Sequence, residues 1–78
     1  MTPRERVQLG QRSLEAFNNA RKLEKQIQQY KEAPIIYETQ HPGFDIDETI
    51  RLYQEFMDTF DKTFQQLQED YGVQNEQK

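Results

Sequence analysis

Ile46-Asp47-Glu48-Thr49-Ile50-Arg51-Leu52-Tyr53-Gln54-Glu55-Phe56-Met57-Asp58-Thr59-Phe60-Asp61-Lys62-Thr63-Phe64-Gln65-Gln66-Leu67-Gln68-Glu69-Asp70-Tyr71 carries an apolar side chain at 46, 50, 53, 57, 60, 64, 67 and 71. Unbroken steps of four and three are the period of one helix face and not of a strand. Asp45 reads as the N-cap, and Asp47 and Glu48 place acids where the helix dipole is positive. Asp47 with Arg51 and Asp58 with Lys62 are i,i+4 pairs in the favourable order. Gly72 reads as a left-handed stop with Val73 closing on the last turn, so the spacing predicts a helix over about 46–71.

Working back toward the N-terminus, Pro42-Gly43 is a turn dipeptide. Before it, Pro34 disfavours helical geometry at Ala33 and ends the preceding element. That element opens with Thr2-Pro3-Arg4-Glu5, a capping box with proline at the first helical position. Leu9, Ala16, Ala20, Leu23, Ile27 and Tyr30 follow in helical steps, with Ser13 filling the missing turn. The result is a second helix over about 3–33. The connector of 11–12 residues is long for a helical hairpin, whose links run roughly two to eight. Ile35-Ile36-Tyr37 within it has high strand propensity, so a short extended segment is expected at 35–37.

Charge supports an antiparallel arrangement. Residues 1–33 hold seven Lys or Arg against four Glu, while 34–78 hold three against ten acids. Two arms of opposite sign satisfy each other's field when they fold together. The chain is thus expected to be all-α, a single hairpin domain over 1–73 with a disordered tail at 74–78.

Length and composition set the remaining bounds. With 78 residues, 33% of them apolar, 31% charged and twelve Gln, the chain lies close to disordered composition. Only the seams rescue it. The glutamines read as helix surface filler. No apolar run is long enough to span a membrane, and the opening residues carry no secretory signal. The absence of cysteine excludes disulfides, thiolate metal sites and cysteine nucleophiles. These features suit a cytoplasmic protein of the small kind that bacteria, plasmids and phages encode as regulators.

Catalysis has little to draw on. A nucleophile and base could come only from Ser13 and His41, the first on a helix seam and the second in a turn, so no catalytic residue is assigned. His41, Asp45, Asp47 and Glu48 lie close in sequence, but capping and the dipole already account for the acids, so no metal or other cofactor is expected. No small-molecule substrate is indicated. Arg21, Lys22 and Lys25, joined by Asn18, form a basic patch that would neutralise at most about three phosphates. Nucleic acid is therefore a weak alternative partner.

What the pattern does carry is surplus apolar surface. Val7, Leu14 and Phe17 are offset from the first seam, Leu52 and Phe56 lie beside the second, and Ile35, Ile36, Tyr37 and Phe44 fall in the connector. A two-helix unit of this size buries too little to offset its ordering entropy, so a second copy or a larger protein must cover the rest. A homodimeric four-helix bundle is the economical arrangement. These nine residues are the candidate partner-binding set. The expected function is a non-enzymatic interaction module, with a self-assembling scaffold or an accessory subunit of a nucleic-acid-processing complex as alternatives. The stretch 46–57 also resembles the second helix of the exonuclease VII small subunit, a short acidic helical hairpin that binds its large subunit. Phe56 stands where that family usually has glycine, and the connector is much longer. The resemblance, confined to these twelve residues, offers an example of the class: a small helical accessory subunit.

Overall fold

The computed structural model describes residues 2–75, with side chains described through Asp70. Three helices follow in order, α1 (Pro3–Glu32), α2 (Pro34–Gln40) and α3 (Ile46–Asn75), with no strand among the described residues. α1 and α3 pack along their lengths as the two arms of a helical hairpin, and α2 caps its closed end.

Both arms begin as their sequences require. The Thr2 hydroxyl accepts from the Glu5 backbone N–H at 3.2 Å and donates to the Glu5 carboxylate at 3.1 Å. Asp45 accepts from the Glu48 N–H at 3.2 Å. Of the two i,i+4 pairs, Asp58–Lys62 closes at 3.0 Å, whereas Asp47 and Arg51 form no ion pair among the described residues. An unforeseen pair, Arg6–Asp70 at 2.7 Å, ties the start of α1 to the far part of α3.

The connector corrects the expectation of an extended segment at 35–37. Ala33 leaves helical geometry (φ −148°, ψ 75°), and Pro34 then opens a new seven-residue helix as its first residue. The Tyr37 N–H donates to the Ala33 carbonyl at 2.9 Å, and the Thr39 hydroxyl to the Ile35 carbonyl at 2.8 Å. A lone strand would have left these backbone groups without a partner, so the helix prevails over β propensity. The chain returns through His41–Phe44, where the Phe44 N–H donates to the His41 carbonyl at 3.1 Å. Gly43 supplies the positive φ of 85° at the third turn position, which only glycine adopts readily.

α3 also corrects the placing of its end. It continues through Gly72 to Asn75, so that glycine does not stop the helix. Of the expected tail 74–78, residues 76–78 lie outside the described residues.

The packing register differs from the apolar seam in one instructive way. Thr49 and Thr63 are buried and Phe56 is half-buried, whereas Phe64 is 44% exposed. α3 therefore faces α1 with 49, 56, 63 and 70 alternating with 53, 60 and 67. Ile50, Met57 and Phe64 are turned to one flank. Each threonine satisfies its hydroxyl on its own helix: Thr49 donates to the Asp45 carbonyl and Thr63 to the Thr59 carbonyl, both at 2.8 Å. α1 answers with Leu9, Ser13, Ala16 and Ala20, all buried. This core is narrow, and among the described residues no large side chain is fully enclosed.

Gly10 lies in mid-helix on α1, and a Cβ there would meet nothing within 4 Å. Gly10→Ala should raise stability by about 0.5–1 kcal/mol through helix propensity and lower unfolded-state entropy. A higher midpoint in urea with an unchanged m-value is the expected reading, and a lower midpoint would show that this turn is not free.

Candidate interaction surfaces

At the closed end, Tyr37 points inward and is 7% exposed. Its ring meets His41 at 4.3 Å and Phe44 at 4.7 Å between centroids, and Tyr30 edge-on at 6.3 Å. Tyr30 also meets Phe44 at 5.4 Å and donates its hydroxyl to Glu38 at 3.2 Å. The Tyr30 hydroxyl titrates above the ordinary tyrosine range, through desolvation first and then through the hydrogen bond to, and negative charge of, Glu38. With these rings turned inward, Ile35 and Ile36 stand 80% and 60% exposed on the outer side of α2. The connector residues expected to act together thus divide: Tyr37 and Phe44 hold the tip to the arms, and Ile35 and Ile36 face solvent.

A second surface runs along one side of the hairpin. Phe17 packs on Phe60 at 5.1 Å, and Phe60 stacks on Phe64 at 5.5 Å. Phe17 therefore takes part in the contact between the arms while remaining half-exposed on this side. In antiparallel helices this contact fixes which flanks share a side. Leu14 stands one turn from Phe17, and Val7 one heptad before Leu14; they are 60% and 61% exposed. Ile50 and Met57, half-buried, continue the row from Phe64 along α3. On the other side, Arg12, Glu15, Asn19 and Thr59 border a groove above Ala16, Phe56 and Thr63, so Phe56 belongs to the contact between the arms; Leu52 is half-buried. One broad side is apolar and the other polar.

The basic residues Arg21, Lys22 and Lys25 do share a shallow groove with Asn18. The Arg21 guanidinium lies 5.7 Å from the centre of the Phe17 ring, so it also shields an apolar edge. Ser13 is buried in the seam, and His41 is exposed at the tip, so the two do not meet. Among the described residues no three His, Asp or Glu side chains are grouped to hold a metal ion, and no helix is long and apolar enough to cross a membrane.

No family model, curated protein or solved structure matches the chain. The likeness of 46–57 to the exonuclease VII small subunit gains no support from these comparisons.

The sequence pattern points to most of these side chains, and the structure divides them between inter-arm contacts and exposed surface. The aromatic tip was the part the pattern missed. The signal for it was present in Tyr37 and His41, four residues apart behind a proline that can start a helix as well as end one.

Proposed function

We propose that this chain is a non-enzymatic helical interaction module of the cytoplasm, which docks an apolar surface on a larger protein as its modulator, inhibitor or assembly factor. The observation that carries this reading is the adjacent pair Ile35 and Ile36, 80% and 60% exposed on a helix whose inward anchor is already buried. Two large aliphatic side chains side by side in water, on a tip anchored by tilted and edge-on rings, are suited to fill a pocket on a partner. The lack of cysteine is in keeping with a reducing compartment.

Ile35 and Ile36 are the second and third residues of α2, where acids favour the helix dipole. Ile35→Asp/Ile36→Asp should therefore keep the circular dichroism of the parent while abolishing capture of the partner from the native host. Undiminished capture would refute the tip as the docking site.

The row of exposed apolar residues along one side supports a second reading, a self-assembling scaffold. Light scattering across concentration separates the two, since a scaffold grows beyond a closed oligomer.

A further inference from the structure

The molecule measures 56 × 22 × 14 Å, a single layer of helices, whereas stable domains pack two layers around a core. Its accessible surface of 6365 Å² exceeds by about a quarter the roughly 5,000 Å² of a compact monomer of this mass. Its radius of gyration is 17.2 Å, against about 11.5 Å for a compact chain of this length. The missing layer belongs on the apolar side.

We infer that a second copy of this chain covers the side bearing Val7, Leu14, Phe17, Ile50, Met57 and Phe64, about a two-fold axis parallel to the helices, so that both α2 tips lie at one end. Two properties argue for a copy of itself. A broad side 56 Å by 22 Å can supply the roughly 800 Å² per partner that a stable interface buries. The two arms also carry opposite charge: α1 holds seven Lys or Arg against four Glu, and α3 two against seven acids.

Charge also chooses the axis. A two-fold across the helices would lay α1 on its own copy and α3 on its own copy, opposing like charges along the whole length. A two-fold parallel to them lays α1 on the partner's α3. The edge of α1 that carries Arg21 and Lys25 then meets the edge of α3 that carries Asp47 and Asp61, each one turn before Ile50 and Phe64. Under this symmetry the two Ile35–Ile36 pairs project from the same end. This last step rests on the tip reading above and makes the module bivalent, so that a partner with two pockets gains avidity without any new contact.

The test is sedimentation equilibrium of the full chain, combined with a distance measurement. The parent should be dimeric at micromolar concentration. Leu14→Asp/Phe64→Asp should weaken dimerisation roughly 100-fold or more, since it strips apolar burial from both arms and places charge in the interface. Asn19→Asp, on the polar side, should leave it unchanged. Because the chain has no cysteine, Gln40→Cys provides a unique site for a spin label at the tip, in an otherwise unaltered molecule. One inter-label distance well under about 35 Å is expected, whereas tips at opposite ends would be separated by most of the 56 Å length. A monomeric parent at 100 times the expected range, open assemblies, or only the long distance would each overturn the proposal. Ile35→Asp/Ile36→Asp should still dimerise, so loss of docking and loss of dimerisation are read separately.

Discussion

Tyr37→Ala should lower stability by about 3 kcal/mol, the cost of emptying a buried aromatic site. For a chain of this size that corresponds to a fall in melting temperature on the order of 15 °C. Tyr37 is the central ring of the tip, with Tyr30, His41 and Phe44 around it. Without it, α2 is a seven-residue helix, far below the length at which a helix holds in water on its own. Among the described residues, the side-chain hydrogen bond that joins α1 to α2 is Tyr30–Glu38, which is exposed. Tyr37→Phe keeps the ring contacts, and the Tyr37 hydroxyl makes no hydrogen bond among the described residues, so this variant should melt close to the parent. Thermal unfolding of the three proteins at one fixed concentration decides the matter. An alanine variant melting within about 3 °C of the parent would mean that the tip is not held by its rings.

Ala20→Leu acts by the opposite mechanism and should cost about 2–3 kcal/mol through overpacking. Ala20 is 1% exposed, and Ser13 and Ala16 beside it on the seam are each 5% exposed. Small side chains on α1 let the aromatics of α3 lie close against it. A leucine at the most enclosed of these positions has no free volume to enter, so it must push the arms apart or take a strained rotamer. Asn18→Ala, on the exposed surface of the same helix, should stay within about 0.5 kcal/mol. Urea titrations with the m-value checked give the comparison. If Ala20→Leu proved neutral or stabilising, the arms would not meet along this seam.

Much of this arrangement could be read from the residues alone, and the failures share a cause. Pro34, Asp45 and the Thr2–Glu5 box act through local geometry, which tertiary context does not override, so the break at Ala33 and the starts of α1 and α3 fall where expected. On α3 the positions 46, 53, 60 and 67 were placed correctly. The alternate set was displaced by one residue, because Ile50, Met57 and Phe64 outweigh Thr49 and Thr63 in hydropathy. Apolar pattern reports the middle of the whole apolar arc, whereas a single partner helix occupies only one side of it. Tyr37 and Phe44 read as surface for outside partners for a related reason: periodicity does not reveal that aromatic side chains fold back around a turn.

The aromatic tip also bears on how the hairpin closes. Tyr30 and Phe44 are fourteen residues apart, whereas Arg6 and Asp70 are separated by sixty-four. Loop-closure entropy rises with the logarithm of the separation, so the ring cluster forms at least entropic cost and every later turn pairs across a loop already shut. Folding is thereby directed to start at the bend and run toward the open ends. A substitution in the rings should slow folding, and one at Arg6 or Asp70 should chiefly hasten unfolding.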